Sequence, residues 1–131
     1  MEPLIIDVER TGFPIKIGKN EFFFDASVEG ISKYQENYLT ALEEVKKLEL
    51  SNDASEEEVL KQRVEVFRQS YDIILGKGSF DKVYEEINDI IALEKIFHKV
   101  VNGIDMHVAL VVEEYSKQTN QILSEYENKF K

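Results

Sequence analysis

The 131-residue chain contains no cysteine. That excludes disulfide stapling, zinc–thiolate sites and thiol catalysis together, and it fits a reducing compartment. Tryptophan is also absent, and only two prolines and six glycines punctuate the sequence. The longest apolar run, Val108 to Val112, is far short of the ~20 residues a membrane span needs. The opening MEPLIIDVER is acidic and lacks the apolar stretch of a signal peptide. Basic residues are outnumbered: 16 Lys and Arg stand against 26 Asp and Glu, for a net charge of −10. Every fifth of the chain carries more acids than bases, so the negative potential is distributed and no basic stripe exists. Nucleic-acid phosphate and anionic lipid are repelled by such a surface. These absences predict a soluble protein with no nucleic-acid or membrane partner.

Apolar residues make up 43% of the chain, enough for a core without staples. The pattern predicts one domain over 1–131, with a β-meander in 1–24 and a helical body in 25–131. Leu4 to Val8 is rich in branched residues. Phe13, Ile15 and Ile17 then alternate with polar positions, Gly18-Lys19-Asn20 reads as a hairpin turn, and Phe22-Phe23-Phe24 follows. Two or three strands are expected, with Pro14 on an edge because it cannot donate a ladder hydrogen bond.

Past Asp25 the period becomes helical. Val28, Ile31, Tyr34, Tyr38, Leu42, Val45 and Leu48 draw one stripe, capped by Ser27 or Asp25, and Ser51-Asn52-Asp53 ends it. Ser55 with Glu58 opens a second helix, whose stripe is Leu60, Val64, Phe67, Tyr71 and Ile74 and whose end is Gly76. Ser79 is expected to cap a third helix over 80–88, and Asn88-Asp89 marks a bend. The last third is helical, with a wide apolar arc around 90–112, a polar end beyond Lys117 and Gly103 as a possible kink. The fold class is therefore mainly α with a small N-terminal β-meander (α+β), built as a bundle of about four helices.

No catalytic, metal or cofactor site emerges, and the chain reads as a non-enzyme. Gly76-Lys77-Gly78-Ser79 is not a phosphate loop: it follows a helix, and the glycine that must stand five residues before Gly-Lys is missing. His98 and His107 are nine apart and do not chelate from one face. Glu94 and His98 could together touch a metal, yet no E-x-x-H is present. The adjacent acids Glu85-Glu86 and Glu113-Glu114 point about 100° apart on a helix and read as solvated faces. The residues nominated for protein binding are Phe13, Phe22 and Phe24 on the strands and Phe97, Val101, Ile104, Val108 and Val111 on the last helix. One face or edge of the aromatic strands is expected to meet a neighbouring subunit.

The order of parts adds a resemblance. FPIKIGKNEFFFD precedes the first helix, ILGKGSFDKVYEEIND joins the second and third, and a long helical segment follows. This resembles the small tail assembly chaperones of long-tailed bacteriophages of Gram-positive bacteria, above all the tape-measure chaperones of lactococcal phages. Leu75-Gly76-Lys77-Gly78-Ser79 stands where members carry FGEGT, and Val83-Tyr84 where they carry IF; Lys77 replaces their acid and Glu85-Glu86 their GD. The resemblance implies a mainly helical, oligomerising chaperone. It would bind the tape measure protein in the host cytoplasm until the tail tube polymerises, and it would be absent from the mature virion. It implies no enzyme activity and no cofactor. The alternative is another acidic helical adaptor, or a secretion-type chaperone for a different client.

Overall fold

A computed structural model describes residues 1–50 and 55–129. The break expected at Ser51-Asn52-Asp53 lies outside the described residues. The fold is mainly α with a small N-terminal β region. Strands β1 (Gly12–Ile17) and β2 (Asn20–Asp25) precede helices α1 (Val28–Lys46), α2 (Glu56–Leu75), α3 (Ser79–Ile87) and α4 (Ile90–Lys129); a 3₁₀ turn, Lys47–Leu50, extends α1.

The strands pair antiparallel about Gly18-Lys19, with Phe13 opposite Phe24, Pro14 opposite Phe23 and Ile15 opposite Phe22. The Ala26 N–H donates to the Thr11 carbonyl at 2.9 Å. In an antiparallel ladder the hydrogen-bonded pairs then fall at 11/26, 13/24, 15/22 and 17/20, and Pro14 lies where its missing N–H would point away from β2. The hairpin loses nothing by it. Among the described residues no third strand forms. Residues 1–10 are all exposed and have no regular structure, so Leu4 to Val8 is strand-like in composition only. Pro14 blunts the adjacent edge of β1, which is the one such a strand would meet first.

The chain divides into two compact units, Met1–Ile96 and a second beginning at Phe97, with α4 contributing residues 90–96 to the first. In the first unit α1 packs on α2 and α2 on α3. Tyr71, Phe80, Val83 and Leu93 are fully buried there, at roughly 1.5–3 kcal/mol for each large side chain removed from water. The Tyr71 hydroxyl donates to the Leu93 carbonyl at 2.6 Å, which ties α2 to the start of α4. The stripes expected on α1 and α2 are only partly the buried faces. On α1, Tyr34 and the small Ala41 are buried while Val28, Tyr38 and Leu42 are exposed; on α2, Leu60 is exposed and Val66, Phe67, Ser70 and Tyr71 form the contact.

Helix ends follow capping chemistry with one correction. The Ser27 and Ser55 hydroxyls accept from the N–H groups of Gly30 and Glu58, as their positions predict. Gly76 closes α2 with φ 107°. Ser79, however, is not the cap of α3. It is the helix's first residue and is buried, and the Asp72 carboxylate of α2 accepts from the Phe80 N–H at 3.2 Å and the Ser79 hydroxyl at 3.4 Å. The tight Gly76–Gly78 connection brings the end of α2 to the start of α3, so a side chain seven or eight positions away does the capping. At the next junction Asn88 takes φ 53° and Asp89 accepts from the Ile91 and Ala92 N–H groups, opening α4. Helix α4 then continues through Gly103 without interruption.

The second unit is the remainder of α4. Phe97, Val101 and Ile104 are buried, Val108, Val111 and Tyr115 partly so, and every described residue from Ser116 on is exposed.

Candidate protein-binding surfaces

Alternation puts Phe22 and Phe24 on one face of β2 and Phe23 on the other. Register brings Phe13 and Ile15 to the first face. Phe24 is buried, stacked on Phe13 (5.0 Å, 24°) and edge-on to Tyr34 of α1 (5.3 Å, 84°). Phe13 and Phe22 are half-buried. Phe24 is thus the anchor of the hairpin on α1, and Phe13 and Phe22 are its half-accessible flanks. Phe23 faces outward at 52% exposure, covered in part by the Arg10 guanidinium 5.2 Å from its ring centre. Arg10 also lies 3.7 Å from Asp25. Asp25 accepts from the Ser27 N–H at 3.0 Å, and that bond holds its carboxyl below the ordinary 3.8.

The turn is held from α3. Both Glu86 carboxylate oxygens accept from the Lys19 N–H (3.1 and 3.0 Å), and the Asn20 side-chain amide donates to Glu86 (3.0 Å) and to the Lys82 carbonyl (3.3 Å). Glu86 is therefore a clamp on the hairpin turn and not a merely solvated acid. Gly18 at φ +58° leaves the space: a Cβ there would stand 2.2 Å from a Glu86 oxygen. The long-range pairing of an acid with a glycine turn has no signature in linear spacing.

Between the outer edge of β2, α1 and the end of α2 lies a groove of about 380 Å³, bordered by Phe23, Asp25, Lys33, Asn37, Ile74 and Leu75. A second, wider cleft of about 580 Å³ is lined by Glu56, Val59, Leu60, Arg63, Ile91 and Glu94. Arg63 and Glu94 bridge it as a two-point pair at 2.7 and 3.1 Å, and that bond raises the Arg63 pKa. Glu94 is thereby engaged by an arginine rather than poised as a metal ligand. Leu60 and Ile91 remain exposed at the rim, at 51% and 58%. Periodicity marked neither as exposed: Leu60 falls on the α2 stripe with the buried Phe67 and Tyr71, and Ile91 sits beside Ile90 in an apolar run.

On α4 the nominated Phe97, Val101 and Ile104 are buried, while Val108 and Val111 are half-accessible. Besides Ile91, the exposed large apolar residues described on that helix are Met106, Leu110, Val112, Ile122, Leu123 and Tyr126. His107 contacts the Gly103 carbonyl through Nδ1 at 2.8 Å, and His98 lies edge-on to Phe97. Among the described residues no group of three metal-ligating side chains comes together, and no helix is long and apolar enough to cross a membrane. The strongest titration shift is that of Tyr71, whose hydroxyl burial pushes up. It belongs to the core and not to a cleft.

In comparisons with known proteins, residues 20–130 match the model of a family described as of unknown function, DUF6673. No curated protein and no solved structure matches.

Proposed function

The chain belongs to that family of unknown function, and we propose that it is a bacteriophage tail assembly chaperone. It would bind the tape measure protein in the host cytoplasm, keep it soluble until the tail tube polymerises, and leave before the virion is complete. The reading makes it a binding protein rather than an enzyme. The observation that carries it is the apolar side chains on the outside of helices in a chain of net charge −10: Leu60 and Ile91 at the rim of one cleft, and Met106, Leu110, Ile122 and Leu123 along α4. A long helical client with apolar stripes is taken by such surfaces in the helix-in-groove mode. Surrounding acids favour its basic stretches and keep the complex dispersed. The client's class is what the resemblance to tail assembly chaperones implies, a resemblance that rests on the order of parts and the ILGKGSFDKVYEEIND phrase.

The reading expects a very long tape measure gene beside this one, and co-expression with its product tests it. The client is expected to be soluble and to copurify with the chain, and to precipitate when Leu60→Glu and Ile91→Glu are combined. Copurification should then fall about tenfold or more, the equivalent of at least ~1.4 kcal/mol. A client that is soluble alone and never copurifies would refute the reading. A secretion-type adaptor would instead sit beside a secreted effector gene, so gene neighbourhood separates the two.

A further inference from the structure

Two parts of the first unit complement one another. Residues 4–8, Leu-Ile-Ile-Asp-Val, are strongly β-prone, yet Leu4, Ile5, Ile6 and Val8 are 73–90% exposed and belong to no strand. The sheet has two strands and hence two free edges. On β1 the outward positions are Gly12, Pro14 and Lys16, and Pro14 removes the central donor. On β2 the outward positions are Glu21, Phe23 and Asp25. The Asp25 carbonyl is closed off by the first turn of α1, where a Cβ on Gly30 would lie 2.1 Å away. At Glu21 and Phe23 the edge is intact, and no hydrogen bond from the described residues reaches their backbone groups. The 380 Å³ groove runs alongside.

We propose that two copies of this chain exchange these arms, residues 4–8 of each adding as a third strand to the outer edge of β2 in the other. Strand alternation places Leu4, Ile6 and Val8 on the face shared by Phe22 and Phe24, and Ile5 beside the exposed Phe23. The arm of the same chain is a poor occupant. Only Glu9, Arg10 and Thr11 separate it from β1, a link that returns it along the edge blunted by Pro14. The way to the far side of β2 passes the end of the hairpin, where Ala26 is fully buried. Exchange satisfies both unpaired elements twice, by one two-fold contact. It is independent of the client reading, since either could hold without the other.

The absence of cysteine makes the test clean. Full-length chains carrying Ile5→Cys and, separately, Phe23→Cys are differently tagged, mixed and treated with a short bis-maleimide. The expected product is a covalent heterodimer carrying both tags. The double variant, linked at high dilution, should give little product of monomer mass. A product that is chiefly intramolecular, or a full-length chain that sediments as a monomer across a concentration series, overturns the exchange. A chain carrying both Ile5→Pro and Ile6→Pro, at exposed positions, loses a ladder donor whichever way the arm runs along β2, and should raise the dimer dissociation constant about tenfold or more while the helical circular dichroism is unchanged. An unaltered dimer in that variant also overturns it. Amide hydrogen exchange supplies a readout without substitution: residues 4–8, Glu21 and Phe23 should be protected in the dimer and unprotected on dilution to monomer.

Discussion

Tyr71 shows how one atom is fixed by its surroundings. Its ring is fully buried against Phe80, edge-on at 5.6 Å, and its hydroxyl has the Leu93 carbonyl as acceptor. Tyr71→Phe should therefore cost about 1 kcal/mol, read as a lower urea midpoint with an unchanged slope. Burial raises the phenol's pKa in the folded state. The folded chain holds that proton where the unfolded chain releases it, so this stability is complete below the unfolded value of about 10 and is lost as pH rises above it. Urea titrations at increasing alkaline pH should show a decline in the natural chain that Tyr71→Phe lacks. Asp25 works in the opposite direction. Its lowered pKa, owed first to the Ser27 N–H, stabilises the strand–helix junction above the ordinary carboxyl value, and that support is lost as pH falls through the folded value. The protection of the Ser27 N–H, taken relative to its intrinsic exchange rate at each pH, should fall in acid more than protection within α2.

At the scale of elements, the joints are made by acids borrowed from neighbours. Asp72 caps α3 from α2, and Asp72→Ala should lower stability by about 1 kcal/mol, within the 0.5–2 kcal/mol spanned by lost caps; thermal unfolding measures it. Glu86 clamps the hairpin from α3. Glu86→Ala should speed hydrogen exchange at Lys19 and cost roughly 0.5–1.5 kcal/mol, whereas Glu86→Gln, which keeps one acceptor oxygen, should lose less. Equal losses for the two variants would mean that the clamp contributes only through charge. The hairpin itself was legible in the alternation of Phe13, Ile15 and Ile17 and in the Gly18 turn, because a strand's period and a turn's φ demand are local properties. Glu86 read as a solvated acid and Asp72 was not singled out, since the groups they bond lie elsewhere in the chain.

For the whole molecule, charge and apolar surface oppose each other. Copies carrying −10 repel, so self-association through exchanged arms should strengthen as added salt screens them, with sedimentation velocity as the measure. A dimer weakened by salt would point to ion pairing as its source instead. Periodicity put Phe97, Val101 and Ile104 on one apolar face of α4; they were nominated there for protein binding, and the structure buries all three. The outward apolar residues Leu60, Ile91, Met106 and Leu110 were not separable from core residues, since hydrophobicity is the same in either place.

Composition and periodicity alone determined that the chain is mainly helical, where most helices begin and end, and that a hairpin precedes them. Those features depend on backbone preferences and on neighbours within one or two turns. The tertiary structure decided which apolar faces are covered, that residues 4–8 find no partner within the first unit, and that Asp72, Glu86 and Glu94 are committed to the Phe80 N–H, the Lys19 N–H and Arg63. Burial and long-range hydrogen bonds depend on which segments meet in space, and linear order does not encode that separation.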